Sequence, residues 1–312
     1  MLALNFLLAY LIGLLYTSPT VFGNTSSPIK VLGSRANTLP GPPHFVIYSD
    51  IPVPSLIGPP LVALSFLLVS GPVDESKEWT RLTAAQRSTI KAQFAAAGIK
   101  LIVSVFGSTD KPTSNRADPI ATANTMSEWV KQYDLDGIDV DYEDLKAVDA
   151  GDGKAEDWII SFTKQLRRQL PQGQYILTHA RQVFFFLREK FCAYRTVHTA
   201  VGASIDWYNV QHAEGTTEYT TCTGLLTASS SNWPQTALFQ IASNAGVPLS
   251  KLVIGKPGTK GDASNGLMSA STLASCLKTA HSQGWNAGVS VWQFPDVAAA
   301  WIQAVRALAF PL

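Results

Sequence analysis

A short segment of alternating residue types, residues 135–143, constrains the fold of this chain more than any other feature. Apolar residues and carboxylates alternate along it, and an alternation of period two is typical of a β-strand. The apolar positions also carry residue types that favour strands, namely Ile138, Val140 and Tyr142. Successive side chains of a strand point to opposite faces, so the pattern predicts that Asp139, Asp141 and Glu143 lie on one face.

Three carboxylates on one strand face crowd each other. Neighbouring residues of one face lie only about 6.6 Å apart along the strand, so at least one of these acids is expected to hold a proton near neutral pH. The apolar face must pack against other elements. The segment is therefore predicted to be an interior strand whose acidic face meets solvent or a polar cavity.

The residues alone leave several interpretations of the acidic segment open. A calcium loop of the EF-hand type also spaces acids two apart, but it needs glycine at its sixth position, where this chain has Asp144. An Asp-x-Asp pair is also found at the metal of nucleotide-sugar transferases, which leaves Glu143 unexplained. A solvated strand face normally mixes charge signs, and this strand contains no lysine or arginine. The fourth interpretation is a catalytic acid cluster.

The spacing Asp-Gly-x-Asp-x-Asp-x-Glu at the end of a strand resembles the signature of glycoside hydrolase family 18. This family comprises the chitinases and related endo-β-N-acetylglucosaminidases. The fixed positions of the signature are filled here by Asp136, Gly137, Asp139, Asp141 and Glu143. The chain is most similar to the fungal and plant-type single-domain members, with supporting matches from about residue 44 to the C-terminus.

The N-terminal segment is interpreted as a signal peptide. Residues 1–16 are almost wholly apolar and are followed by Val21-Phe22-Gly23, which suits a cleavage site. A membrane anchor is the alternative, but the apolar run is shorter than the roughly 18 residues of a spanning helix. We therefore expect a secreted, extracellular protein in which residues 24–312 form one catalytic domain, with a glycosylation sequon at Asn24.

Composition narrows the range of partners. The net charge is +1 and charged residues make up only 15% of the chain, so no basic surface for nucleic acid and no acidic tail is present. We expect a monomer that binds chitin or another glycan containing N-acetylglucosamine, with no nucleic-acid partner and no membrane partner.

The three cysteines, Cys192, Cys222 and Cys276, permit at most one intramolecular disulfide. Cys222 with Cys276 is the expected pair, and three free buried thiols are the alternative. The spacing of the cysteines matches no zinc site.

Strands and helices alternate along the chain in the rhythm of parallel βα units. Besides the acidic segment, strands are predicted at residues 44–48, 61–68, 99–106, 175–179, 207–211, 252–255 and 288–292. Helices are predicted at residues 83–97, 119–133, 158–170, 236–244, 271–283 and 298–308. Eight such units in a mature chain of roughly 290 residues predict an α/β fold, a (β/α)8 TIM barrel.

In such barrels the active site lies at the C-terminal ends of the strands, where Glu143 ends the predicted fourth strand. Other strand ends bring further candidate substrate-binding residues to the same mouth: Tyr48, Phe106, Gln211 and Trp292. Aromatic planes there would stack on sugar rings. The family resemblance implies that Trp292 forms the floor beneath the sugar at the cleavage point.

The resemblance also implies substrate-assisted catalysis, which is the mechanism of this family. Glu143 would protonate the glycosidic oxygen while the 2-acetamido carbonyl of the substrate attacks the anomeric carbon, giving an oxazolinium intermediate and retention of configuration. Asp141 would orient the acetamide, and Asp139 would share a proton with Asp141. The mechanism requires no cofactor and no metal ion.

Two segments depart from the family pattern. In the most similar members the sixth strand ends Val-Gln-Phe-Tyr-Asn, and the tyrosine hydroxyl bonds the reacting acetamide. This chain instead reads Val210-Gln211-His212-Ala213-Glu214, and alternation from Gln211 points His212 away from the cleft. The loop after the fifth strand, residues 180–186, also lacks the expected proline-bearing turn.

These features support two functions of different classes. One is a secreted retaining hydrolase of β-1,4-linked N-acetylglucosamine polymers, chitin above all, with an endo-β-N-acetylglucosaminidase acting on N-glycans as a variant. The other is a glycan-binding, lectin-like protein that has lost turnover. The presence of Glu143 favours the enzyme, because inactive relatives usually lack the acid glutamate.

Overall fold

Eight parallel strands close into a barrel, which confirms the predicted fold. The computed structural model describes residues 39–49, 60–182, 193–212, 218–263, 265–297 and 299–312. The strands are β1 (His44–Ser49), β2 (Pro60–Leu68), β3 (Gly71–Pro72), β4 (Lys100–Gly107), β5 (Gly137–Tyr142), β6 (Ile176–Gln182), β7 (Trp207–Gln211), β8 (Leu252–Pro257) and β9 (Gly288–Phe294). The barrel order is β1-β2-β4-β5-β6-β7-β8-β9, and β9 pairs with β1. The short β3 pairs antiparallel with the end of β2.

Helices connect the strands and cover the outside of the barrel. They are α1 (Asp74–Arg81), α2 (Ala84–Ala96), α3 (Pro119–Gln132), α4 (Leu145–Asp149), α5 (Lys154–Gln169), α6 (Ala193–Val201), α7 (Cys222–Leu226), α8 (Leu238–Ala245), α9 (Ala270–Ser282) and α10 (Ala299–Arg306). All predicted helices are present, whereas α1, α4, α6 and α7 were not predicted. Helix α5 starts four residues before the predicted 158, because Gly153 adopts a left-handed φ of 81° at its N-cap and acids fill its first turn.

Local capping explains where two of the predicted helices begin. Thr83 and Gln86 form a capping box at α2: the Thr83 hydroxyl accepts from the Gln86 amide at 3.2 Å, and the Gln86 side chain accepts from the Thr83 amide at 2.8 Å. At α3 the Asp118 carboxylate accepts from the Ala121 amide at 2.7 Å, and Pro119 occupies the first turn, where no amide donor is needed.

The strand faces divide the interior into an apolar outer layer and a partly polar barrel lumen. On β5, the outward residues Ile138, Val140 and Tyr142 are buried against the helices, whereas Asp139 and Asp141 face inward. β5 pairs with β4 on one side and β6 on the other, so the acidic segment is an interior strand as predicted.

The predicted signal peptide, the sequon at Asn24 and Cys192 lie outside the described residues. Within the described residues, no helix combines the length and apolar character required to cross a membrane.

A disulfide joins Cys222 at the start of α7 to Cys276 in α9, across a sequence separation of 54 residues. This confirms the expected pair. The bridge ties the segment after β7 to the helix that precedes β9, and so links two connections on the same side of the barrel.

Replacing both bridged cysteines with serine should lower the free energy of unfolding by about 2–4 kcal/mol, because the bridge closes a long loop in the unfolded chain. Urea denaturation followed by circular dichroism measures this. A reducing agent should destabilise the wild type to a similar extent and leave the double variant unchanged. Equal stability of the wild type and the variant would contradict a structural role for the bridge.

Candidate active site

The acidic signature divides into structural and cavity-facing residues. Asp136, at the N-terminal end of β5, accepts from the Leu101 amide at 2.8 Å and pairs with Lys91 at 2.8 Å. The next position, Gly137, requires glycine, because a Cβ there would lie 2.1 Å from the carbonyl oxygen of Ile176. The first two positions of the signature therefore fix the strand against its neighbours, and the remaining acids are available for the site.

Asp139 is fully buried in the barrel lumen and accepts four hydrogen bonds. Its Oδ1 accepts from Thr178 Oγ1 at 2.5 Å and from Asn209 Nδ2 at 3.1 Å. Its Oδ2 accepts from the Tyr48 hydroxyl at 3.0 Å and from Ser104 Oγ at 2.9 Å. Burial raises the pKa of Asp139, and these four donors oppose the rise because they stabilise the ionised form. All accepting positions of the carboxylate are thereby occupied.

Asp141 lies one step nearer the mouth and interacts with Glu143. Its Oδ1 accepts from Gln211 Nε2 at 3.0 Å, and its carboxyl is hydrogen-bonded to that of Glu143. Burial, followed by the charges of Glu143 and Asp139, raises the pKa of Asp141 well above its usual range. A proton held by Asp141 or Glu143 can therefore be shared through the hydrogen bond between them. The sharing of a proton between Asp139 and Asp141 stays a prediction; in this structure the oxygens of Asp139 accept from four other donors.

Glu143 follows β5 directly and stands half-buried at the rim of the cavity. Its Oε2 accepts from Gln182 Nε2 at 3.2 Å, and its main-chain carbonyl accepts from Lys111 Nζ at 2.8 Å. Burial raises the pKa of Glu143, whereas the charges of Arg181 and Lys111 and the hydrogen bond with Asp141 oppose the rise. A carboxyl with a raised pKa at a cavity rim can donate a proton and take it back.

The cavity at the C-terminal mouth of the barrel has a volume of about 270 Å³ and brings four predicted site residues together: Tyr48, Glu143, Gln211 and Trp292. The Trp292 ring packs nearly parallel to Phe66, with ring centres 5.6 Å apart, and lies 5.9 Å from the Tyr48 ring. Flat apolar surfaces of this kind suit the faces of sugar rings, and the acids lie beside them.

Phe106 does not belong to this group, and its prediction as a sugar-binding residue is wrong. Its ring is fully buried and packs between strand and helix, 5.6 Å from the Trp158 ring and 5.3 Å from the Phe162 ring. The backbone at Phe106 has a left-handed φ of 77°, which breaks the alternation that would have pointed the ring into the lumen.

The structure adds functional residues that sequence reasoning missed. Phe66 lines the cavity although it lies in an apolar run that gave no reason to separate it from core residues. The glycine at position 107 is the related sequence feature, because a Cβ there would lie 3.0 Å from the Phe66 ring. Gln182 donates to Glu143, and Asn209 donates to Asp139. Both are polar residues at inward positions of their strands, so the alternation of side chains along a strand could have identified them.

His212 lies outside the cavity lining, as alternation predicted. It is fully buried, its ring contacts Tyr219 at 5.2 Å, and its Nδ1 lies 3.0 Å from the carbonyl oxygen of Val210. Ala213, Glu214 and the loop that begins at Val183 lie outside the described residues. Among the described residues, no group of three or more histidine, cysteine, aspartate or glutamate side chains is arranged to hold a metal ion.

The acidic strand of this parallel eight-stranded barrel ends at the C-terminal mouth, which is where the active sites of (β/α)8 enzymes lie. The sequence model of glycosyl hydrolases family 18 matches residues 60–296 of the chain. The chain belongs to this family and is a glycoside hydrolase.

Solved structures of the same family are similar to the chain along most of its length. A chitinase from Pseudoalteromonas aurantia is 26% identical with a TM-score of 0.67, over 84% of this chain and 98% of that one. A fungal endo-β-N-acetylglucosaminidase is 18% identical with a TM-score of 0.62, over 86% of this chain and 99% of that one. Comparison with curated protein sequences gives no match.

Replacing Asp139 with asparagine should lower the free energy of unfolding by about 1–3 kcal/mol, because an amide cannot accept from all four buried donors. Chemical denaturation measures this. The matched control, Ser104→Ala, removes one donor and leaves the carboxylate with three, so it should cost about 1 kcal/mol or less. If Asp139→Asn cost no more than Ser104→Ala, the carboxylate would not be what organises the lumen.

Proposed function

We propose that this chain is a secreted retaining glycosidase that hydrolyses β-1,4-linked N-acetylglucosamine polymers, with chitin as the substrate. The observation that carries the proposal is the hydrogen-bonded, buried pair of Asp141 and Glu143 beside Trp292. Burial and like charge keep a proton on this pair above the pH at which an ordinary carboxyl loses it. A general acid at the glycosidic oxygen needs that proton.

In the first step the sugar to be cleaved stacks on Trp292, and Glu143 donates its proton to the glycosidic oxygen. The bond from the anomeric carbon to that oxygen breaks as the carbonyl oxygen of the 2-acetamido group attacks the same carbon. The product is a cyclic oxazolinium ion and a free sugar hydroxyl. Asp141, held by Gln211, accepts from the acetamide N–H and offsets the positive charge of the ring.

In the second step the Glu143 carboxylate takes a proton from water, and the oxygen of that water attacks the anomeric carbon. The oxazolinium opens, the acetamide is restored and Glu143 regains its proton. Both attacks occur at one carbon from opposite faces, so the product keeps the β-configuration.

Secretion is part of the proposal. It is supported by the apolar residues 1–16, which precede a suitable cleavage site. The disulfide between Cys222 and Cys276 also favours an oxidising compartment.

A glycan-binding protein without turnover is the second candidate, and the end of β7 favours it. The position of the family's tyrosine is filled in this sequence by Ala213, which has no hydroxyl, and His212 is buried against Tyr219 and so offers no replacement donor to the acetamide. An endo-β-N-acetylglucosaminidase acting on N-glycans is a variant of the enzyme proposal, because both substrates present an acetamide. Reducing-end assays on chitooligosaccharides and on a glycoprotein separate the candidates: turnover of the glycoprotein alone assigns the variant, and binding without turnover assigns the second candidate.

Glu143→Gln should lower kcat on chitooligosaccharides by about 10²- to 10⁴-fold, the usual contribution of a positioned acid, with the dissociation constant nearly unchanged. Initial-rate kinetics and calorimetry measure the two quantities. The control Glu128→Gln, which changes an exposed glutamate on α3, should leave both unchanged. Wild-type kcat in Glu143→Gln would remove this residue from the mechanism.

The first product formed should be the β-anomer, because the acetamide and then water attack from opposite faces. Proton NMR of the newly formed reducing end, recorded before mutarotation, distinguishes the anomers. Asp141→Asn should slow the reaction without changing the anomer. An initial α-anomer would rule out participation of the acetamide.

A further inference from the structure

Lys111 connects two walls of the cavity. It lies in the connection between β4 and α3, and its ammonium donates to the carbonyl oxygen of Ser108 at 2.5 Å and to that of Glu143 at 2.8 Å. Ser108 and Glu143 both line the cavity, at the ends of neighbouring strands. The lysine therefore fixes the distance between these two strand ends at the level of the glutamate.

The same connection holds the residues on either side of Glu143. The Tyr142 hydroxyl donates to Thr113 Oγ1 at 2.6 Å. The buried Asp144 carboxylate accepts from the Ser114 amide and hydroxyl, both at 2.6 Å. Three successive residues at the end of β5 are thus attached to one loop, and Lys111 makes the contact to the middle residue. Within this loop, Lys111 is the residue whose positive charge acts on Glu143.

Three charged groups act on Glu143 from different elements. Asp141 approaches along β5. Arg181 approaches from β6, buried outside the lumen with its guanidinium 5.6 Å from the Tyr142 ring centre. Lys111 approaches from the loop after β4 and is half-buried. Arg181 and Lys111 both lower the pKa of Glu143 against the effect of burial, and Gln182 adds a neutral donor to its carboxyl.

We propose that Lys111 is a positioning residue for Glu143: its ammonium fixes the main chain from which the glutamate side chain projects and places a positive charge beside the carboxyl. This inference rests on the proposed function, in which Glu143 is the acid and then the base. Lys111 contacts the carbonyl oxygen of Glu143, not its carboxyl, so it can hold the residue without occupying the group that reacts.

Lys111→Met should lower kcat on chitooligosaccharides by about 10- to 100-fold with little change in KM, since a shift of about 1 Å in a reacting group can cost that much. The alkaline limb of the pH–rate profile should move to higher pH. Glu143 acts while protonated, and removing a positive charge raises its pKa, so the protonated form persists to higher pH. Lys111→Arg, which keeps the charge and donors, should restore the limb.

Lys146→Met is the matched control, because Lys146 lies on the exposed surface of α4 three residues beyond Glu143 and carries the same charge. It should change neither kcat nor the limb. Equal shifts in both variants would mean a general effect of net charge and would overturn the proposal, as would an unchanged profile in Lys111→Met.

A second readout separates this proposal from the function on which it rests. In protein labelled with carbon-13 at glutamate carboxyls, NMR titration of Glu143 should give a higher midpoint in Lys111→Met than in the wild type and in Lys146→Met. If the wild type has no turnover, the proposed function fails, yet the titration still tests Lys111. Identical midpoints in all three proteins would overturn the role of Lys111 whatever the activity.

Discussion

The arrangement of this site depends on the burial of Asp139. A carboxylate in a barrel lumen is costly unless its lost hydration is replaced, and four donors replace it here. They come from four different strands: Tyr48 on β1, Ser104 on β4, Thr178 on β6 and Asn209 on β7. Tyr48 is 91 residues away in sequence and Asn209 is 70. Only closure of the barrel brings all of them to one point.

Saturation of Asp139 has a chemical consequence for the acids beyond it. The four donors favour the ionised form of Asp139, and its charge, after burial and the charge of Glu143, raises the pKa of Asp141. Asp141 and Glu143 are hydrogen-bonded to each other at the mouth, so a proton shared by this pair lies next to the cavity. Gln211 and Gln182 each donate to one carboxyl of this pair. These neutral donors orient the two groups without adding charge.

The layer outside the barrel also acts on the site. Tyr142 and Arg181 point away from the lumen, yet the Arg181 charge is the largest influence opposing the effect of burial on Glu143. Arg181 lies over the rings of Tyr142 and Tyr194, which shield it from solvent and so preserve its field.

The sequence by itself determined the βα rhythm, the (β/α)8 class and the face of β5 that carries the acids, because alternation and helix caps are local signals. It also placed Glu143, Gln211, Tyr48 and Trp292 at strand ends, and the structure brings these residues to one cavity. It failed at Phe106, where a left-handed backbone reverses the side chain, and it did not anticipate the hydrogen bond between Asp141 and Glu143. The surroundings of the acids were decided by tertiary structure. The donors to Asp139 and the cations around Glu143 come from strands and loops that are distant in sequence.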